Sequence, residues 1–331
     1  MKIMVYEARP DERADLEKQA ALHGVELSVT DAVPTLENAS LAAGCIGVSI
    51  LGQGCIDAAL LDAYHALGIR YLSTRTIGYD HIDLDHARSI GLRVCSASYA
   101  PNGVADFTVM MILMCLRHYK QALWRGQVND FSLTGLQGRE MKDLTIGIIG
   151  TGRIGAQVAR NLSGFGCRIL AYDLRRNPAV EPQVTYVDFD TLLAQSHVIT
   201  LHMPLLDSNR HIINRESIAK MRDGVVIVNC SRGELADIEA LIEGIETGKI
   251  GALGMDTVEG DEGIIHADHR VDILPNRNWF YLHQFRNVIM TQHMAFYTDA
   301  AVSSMVDCGI GGICQMAAGE SCPTELTGPV Q

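Results

Sequence analysis

The sequence predicts an α/β protein of two Rossmann-like domains, each a doubly wound parallel sheet, with an active-site cleft between them. Three observations carry this expectation. Short apolar runs alternate with helical segments twice along the chain. A glycine-rich turn stands between one such apolar run and a helical one. The 331 residues are enough chain for two cores.

The first alternation runs Ile3–Tyr6, Asp11–Leu22, Cys45–Ile50, Ile56–Ala66 and Tyr71–Ser73, a βα pattern with no phosphate loop in it. Pro101-Asn102-Gly103 breaks it, and the Met-, Leu- and Val-rich stretch Val104–Tyr119 predicts one long helix bridging the domains. After Gly138 a second alternation begins with strand Thr145–Ile149, helix Arg153–Leu162 and strand Arg168–Asp173. It continues through strands Val198–Leu201, Val225–Asn229, Ala252–Asp256 and Val288–Met290. Helix returns at Asp299–Met316, and Glu320–Gln331, with two prolines and a glycine, reads as a loose tail. The expected domains are 1–99 with 299–331, taken as the substrate domain, and 100–298 as the cofactor domain.

Composition narrows the function classes. A formal charge of −12 argues against nucleic acid or an anionic membrane as partner, since both require concentrated basic surface. Nine cysteines without a C-x-x-C spacing suit reduced thiols in a cytoplasm and give no zinc or redox signature. The N-terminus lacks a signal-peptide core. Phe107–Leu116 is far shorter than the roughly 20 residues of a membrane span and reads as a buried helix.

Gly150-Thr151-Gly152-Arg153-Ile154-Gly155 follows an apolar strand and opens a helix whose Ile154, Val158 and Leu162 share a face. Gly150 suits the tight turn, Gly152 the approach of a pyrophosphate, and Gly155 close helix packing, while Arg153 and Ile154 open the helix whose N-terminus attracts the anion. Asp173, eighteen residues beyond Gly155, ends the next strand, where a carboxylate accepts from ribose hydroxyls and repels a 2′-phosphate. NAD is therefore expected over NADP, although Arg175 and Arg176 stand close behind. Arg232 follows the strand Val225–Asn229, and its planar fork suits a carboxylate, though an Arg there is commonly a surface residue. His293 follows the strand Val288–Met290 and titrates in the range a proton donor needs, one among twelve histidines.

Met1 to roughly Met316 resembles the D-2-hydroxyacid dehydrogenase family. The motifs that carry the resemblance are Arg75–Asp83, Tyr99–Asp106, the glycine turn, Thr200–Leu205, Asn229–Gly233 and His293–Tyr297. Within the family the chain looks most like the D-lactate dehydrogenase branch, which includes the vancomycin-resistance type. The resemblance implies NADH-dependent reduction of a 2-oxo acid, pyruvate above all, to the (R)-hydroxy acid by a homodimer. It implies that Arg232 and the amides of Ile77 and Gly78 hold the substrate carboxylate, that His293 donates the proton, and that Tyr99 and Phe296 line the pocket. His202, Cys230 and Asp256 match cofactor-side positions. The family's acid that pairs with the histidine is usually Glu; here Asp261 holds that place, with Glu259 and Glu262 as alternatives. Gln292 stands where relatives commonly carry Pro. Two other readings stay open: bulkier branched or aromatic 2-oxo acids, and a non-catalytic NAD-sensing module of the co-repressor kind.

Three further features read as ordinary packing. His266-Ala267-Asp268-His269 lacks the helical frame and extra ligand of a metal site, so no metal is expected. Phe107, Met110, Met111 and Met114 form a stripe suited to core or dimer packing. Trp279, Phe280, Tyr281 and Phe285 read as a packed loop, with a substrate-pocket wall as the alternative.

Overall fold

A computed structural model describes residues 1–274 and 276–328. It is an α/β fold of two parallel sheets, and the chain divides into two compact units: Met1–Ala100 with the chain from Tyr297 onward, and Pro101–Phe296.

In the first unit, strands β1 (Lys2–Val5), β2 (Glu26–Val29), β3 (Gly47–Ile50), β4 (Tyr71–Thr74) and β5 (Arg93–Cys95) form a sheet in the order β2-β1-β3-β4-β5, parallel throughout. Side chains alternate across it. Met4, Val48, Ile50 and Leu72 meet Leu60, Leu61 and Tyr64 of α2 (Ala58–Ala66) on one face. Ile3 and Val5 meet Leu16 of α1 (Arg13–His23) and Val306, Ile310 and Ile313 of the C-terminal helix Asp299–Ala317 on the other. Among the described residues that last helix, and not 107–116, is the one long and apolar enough to cross a membrane, with 56% of its apolar window buried. Its packing against the sheet accounts for its composition. The short edge strands β2 and β5, together with α3 (Leu84–Ser89), escape the sequence pattern because three to six residues carry too little periodicity to register.

The motif residue Arg75 is wholly buried against Glu12, also wholly buried. Its Nε donates to Glu12 Oε1 at 3.0 Å and its Nη2 to Glu12 Oε2 at 3.3 Å, with further donations to the Tyr6 carbonyl and Ser49 Oγ. These bonds satisfy a charge pair that burial would otherwise penalise.

The tail departs from its expected looseness. Arg93 grips Glu325 through two bonds of 2.8 and 2.7 Å, Cys95 pairs antiparallel with Glu325, and Ser96 N and Leu326 N bond across at 3.0 and 2.8 Å. Residues 322–327 thus form a strap along the β5 edge, which would otherwise stay unpaired. Residues 329–331 lie outside the described residues.

In the second unit, β6 (Thr145–Ile149), β7 (Arg168–Tyr172), β8 (Thr185–Tyr186), β9 (Val198–Leu201), β10 (Val225–Asn229), β11 (Ile250–Met255) and β12 (Val288–Met290) take the order β12-β11-β10-β9-β6-β7-β8. All pairs are parallel. From β6 the chain winds one way to β8 and from β9 the other way to β12, so the switch point lies between β6 and β9. The single long helix expected to Tyr119 is two: α4 (Asn102–Leu116) and α5 (Tyr119–Gln127), parted by His118 at φ +51°. The apolar run carries no stop signal there, and the left-handed residue makes the break. Helices α6 (Arg153–Ser163), α7 (Phe189–Gln195), α8 (Arg215–Lys220), α9 (Ile238–Glu246) and α10 (Arg277–Gln284) complete the unit.

Removing one partner of the buried pair isolates the other charge. Glu12→Gln is expected to destabilise the first unit by about 3 kcal/mol or more, read from urea unfolding; a change below about 1 kcal/mol would show that Arg75 finds water or another acceptor.

Candidate functional site

The chemistry-bearing residues of the second unit stand at or beyond the carboxyl ends of its strands, where an open parallel sheet presents its loops. At the end of β6, Gly150 adopts φ +93°, and a Cβ there would lie 2.4 Å from the His202 carbonyl oxygen. A Cβ on Gly155 would lie 1.9 Å from the Gly150 oxygen, whereas one on Gly152 would meet nothing within 4 Å. The first and third glycines therefore lock the turn against the β9 end, and the second leaves open space beside the N-terminus of α6. The first-turn amides of a helix have no intrahelical acceptors, so this open face suits a pyrophosphate, with Arg153 and Ile154 as the first helical residues.

Asp173 lies just past β7. One carboxylate oxygen accepts from Thr151 N at 2.6 Å and Thr151 Oγ1 at 3.1 Å, and the other accepts from Arg175 N at 2.9 Å. The Arg175 side chain is exposed, and Arg176 stands 5.5 Å over the Tyr186 ring. Tyr186 in turn donates to Thr151 Oγ1 at 2.8 Å. The acid is thus fastened to the glycine turn itself. Thr151, fully buried, was not singled out from sequence, because a hydroxyl inside a glycine motif reads as filler.

Arg232 follows an Asx turn. Asn229 Oδ1 accepts from Ser231 N at 3.0 Å, and Asn229 Nδ2 donates to the Arg232 carbonyl at 2.7 Å. The Arg232 guanidinium donates to the Ser231 carbonyl at 2.9 Å. A Cβ on Gly233 would lie 2.3 Å from the Val258 carbonyl carbon, so this loop is seated on the one after β11. That later loop holds Asp256 and Asp261.

Asp256 is 1% exposed. Its Oδ1 accepts from Thr291 Oγ1 at 2.5 Å and Met294 N at 2.9 Å, and its Oδ2 from Ala295 N at 2.8 Å. These donors bracket His293, which takes φ +52°, a strained conformation for a non-glycine residue. The His266 ring lies 6.1 Å from His293 and 6.4 Å from Phe296, Phe296 lies 6.4 Å from His293, and His266 Nε2 is 3.3 Å from the His293 carbonyl. Three rings therefore gather at the end of β12. The sequence drew attention to His266 only as a metal candidate. Asp268 instead binds Arg270 and His269 binds Asp272, and among the described residues no group of three His, Cys, Asp or Glu converges as a metal site.

The three acids expected as partners of the histidine differ in their engagements. Asp261 Oδ2 accepts from Val258 N at 3.1 Å, and burial raises its pKa from 3.8 to about 6, against that hydrogen bond and with help from Glu262 and Glu234. Glu259 is bound to His211 Nε2 at 2.6 Å, and Glu262 is exposed. Complete burial pushes His202 down to about 3, so its ring is neutral. Thr200 Oγ1 is 2.9 Å from its Nε2, and its Nδ1 has no partner among the described residues. Burial also raises the Cys230 thiol, which bonds Thr108. Trp279 stacks on His283 at 5.6 Å, and Tyr281 OH donates to Glu246 at 2.7 Å, so the aromatic cluster packs on and around α10.

In the first unit, the loop after β4 is braced by Thr74 Oγ1, 2.6 Å from Thr76 Oγ1 and 3.2 Å from His81 Nε2, and by Thr76 Oγ1 donating to the Gly78 carbonyl at 2.7 Å. Among the described residues the amides of Ile77 and Gly78 enter no hydrogen bond. Tyr99 is half-buried just beyond β5.

Residues 109–295 match the family described as D-isomer specific 2-hydroxyacid dehydrogenase, NAD binding domain. An aromatic 2-oxoacid reductase of Clostridium sporogenes is 42% identical over 93% of both chains. A D-lactate dehydrogenase of Escherichia coli is 36% identical over 98% of this chain and all of its own. The NAD-complexed D-isomer specific 2-hydroxyacid dehydrogenase of Lactobacillus delbrueckii ssp. bulgaricus superposes with a TM-score of 0.85 at 30% identity, covering 98% of this chain and 100% of that one.

The raised pKa of Asp261 has a stability consequence. Its folded value, about 6, exceeds the ordinary 3.8, so its contribution is fully present below about pH 4 and is lost as pH rises through 6. Asp261→Asn, which mimics the protonated acid, is expected to raise Tm relative to the parent at pH 8 and to leave it nearly unchanged at pH 4. An equal shift at both pH values would show that the carboxyl titrates as an ordinary solvated acid.

Proposed function

The chain belongs to the D-2-hydroxyacid dehydrogenase family and is an NAD-dependent oxidoreductase, and on that premise we propose that it reduces pyruvate to (R)-lactate. The observation taken in support of a small substrate is the gathering of His266, His293 and Phe296 at the end of β12, which sets two further rings near the proton donor. Lactate dehydrogenases among the relatives support the same choice. A second reading, aromatic 2-oxo acids, is favoured by the 42% identity to the aromatic 2-oxoacid reductase.

In this mechanism Arg232 receives the substrate carboxylate through paired N–H donors. The glycine turn and Asp173 fit NAD: the open face at Gly152 takes the pyrophosphate, the α6 N-terminus offers Arg153 and Ile154, and Asp173 keeps lone pairs for the ribose. His202 and Cys230 are packed on the cofactor side beneath. NADH, when bound, supplies the hydride. His293 as imidazolium gives its proton to the substrate's carbonyl oxygen, and Phe296 stands beside it. Asp261 stabilises the imidazolium as a nearby carboxylate does; the support for it over Glu259 is that Glu259 is already held by His211. Asp256 acts as a positioning group, through the three bonds that bracket His293.

The same reading includes a homodimer through the second unit, where Met110, Leu123, Trp124, Phe131 and Leu133 are exposed and a partner subunit would cover apolar surface. It also places the protein in the cytoplasm, which suits nine cysteines that are all free thiols.

The test is steady-state NADH oxidation with pyruvate, 4-methyl-2-oxopentanoate and phenylpyruvate, run on the parent and on Arg232→Ala. Pyruvate is expected to show the highest kcat/KM by about tenfold or more, a difference of ~1.4 kcal/mol. Arg232→Ala is expected to lower it roughly a hundred- to a thousand-fold with NADH affinity retained. A higher kcat/KM for phenylpyruvate would favour the second reading, and equal loss of NADH binding would remove Arg232 from the substrate side.

A further inference from the structure

The strap along β5 brings two cysteines together from opposite ends of the chain. Cys95 ends β5 and Cys322 opens the strap. A Cβ placed on Gly312 of the C-terminal helix would lie 2.6 Å from Cys95 Sγ and 3.5 Å from Cys322 Sγ, so both sulfurs crowd one point above that glycine. The two thiols are close enough to shift each other's proton affinity, and Thr324 Oγ1 lies 3.6 Å from Cys322 Sγ. Cys95 is fully buried and Cys322 is 8% exposed, so the strap's cysteine is the nearer of the two to solvent. Neither belongs to the dehydrogenase chemistry above.

We propose that Cys95 and Cys322 form a redox modification site, closing to a reversible disulfide when the protein meets a hydroperoxide. Cys322 is the sulfur that reacts first. The neighbouring Cys95 sulfur and Thr324 hold its pKa down to about 6 against burial, while the Cys322 sulfur and then burial push the Cys95 thiol up. The Cys322 thiolate attacks the terminal peroxide oxygen, and the O–O bond breaks. Hydrogen peroxide then leaves one water after proton uptake, and Cys322 is a sulfenic acid. Cys95 Sγ attacks that sulfur, the S–O bond breaks, and the Cys95 proton departs with the hydroxyl as a second water. Two thiols are oxidised by two electrons in all, and the peroxide is reduced to water. The product fastens the strap to β5 covalently, where Arg93–Glu325 and the backbone bonds hold it in the reduced state. The other thiols are poorer candidates: burial raises Cys45, Cys115, Cys167, Cys230, Cys308 and Cys314, and exposed Cys55 shows no sulfur partner among the described residues.

The full-length protein is treated with a small excess of hydrogen peroxide at pH 7, alkylated, and digested unreduced with trypsin and a glutamate-specific protease, which frees Ser321–Glu325 and Val94–Arg117. The expected product is these two peptides cross-linked through Cys95 and Cys322, about 2 Da lighter than their reduced sum. Thiols titrated in urea fall by two from nine, and dithiothreitol restores them. In Cys95→Ser, Cys322 is expected to stop as a sulfenic acid that dimedone traps. The proposal is overturned if the parent yields no such cross-link while Cys55 or another thiol takes up the oxidant, or if Cys322 over-oxidises as fast in the parent as in Cys95→Ser.

Discussion

Asp256 sits where three strands of the second sheet end, and its carboxylate is the constraint on which the arrangement around His293 depends. Its own amide donates to the Asn229 carbonyl at 2.9 Å, tying β11 to β10, and Thr291 N donates to the Met255 carbonyl at 3.0 Å, tying β12 to β11. From that fixed point the two carboxylate oxygens accept from Thr291, Met294 and Ala295. A buried carboxylate is tolerated only when its lone pairs are filled, so the loop that fills them must keep one conformation. That conformation includes His293 at positive φ, a backbone geometry which is costly for histidine and is sustained by its surroundings. Gln292, in place of the proline its relatives commonly carry, leaves more of this work to Asp256.

Asn229 does for Arg232 what Asp256 does for His293. Its side chain closes the turn from both sides, while its carbonyl receives the Asp256 amide. The cation assigned to the substrate carboxylate and the imidazole assigned to the proton are therefore mounted on the ends of the two strands that flank β11, within one hydrogen-bonded frame. The acids play separate parts in it. Glu259 braces His211, Asp256 braces the histidine loop, and Asp261, raised by burial, is the acid whose protonation is free to change near neutrality.

Much of the second unit was legible in the sequence. Thr145–Ile149, Val198–Leu201 and Val225–Asn229 are buried along their whole length, and continuous apolar runs bounded by turns announce such strands. β2, β5 and β8 were not legible, being edge or near-edge pieces of two to four residues. The strap was missed for a different reason. Ser321-Cys322-Pro323-Thr324-Glu325 has the composition of a loose tail, and only the distant Arg93 and the open β5 edge give it a place. At the site, residue types and strand-end positions drew attention to Arg232, His293 and Asp173, and the family resemblance added Asp256. What Asp256 holds could not be read, since a hydrogen bond between residues 256 and 295 leaves no local pattern.

The most direct test of this account is Asp256→Asn, which keeps the shape of the side chain but turns one acceptor into a donor facing N–H or O–H groups. The measurements are kcat for 2-oxo acid reduction and, on the same preparation, NADH affinity by fluorescence. The account predicts that kcat falls roughly a hundredfold, as displacement of a reacting group by about 1 Å produces, while the NADH Kd stays within about twofold. An unchanged kcat, or a loss of NADH binding as large as the loss of kcat, would contradict it and place Asp256 on the cofactor instead of on the loop that carries His293.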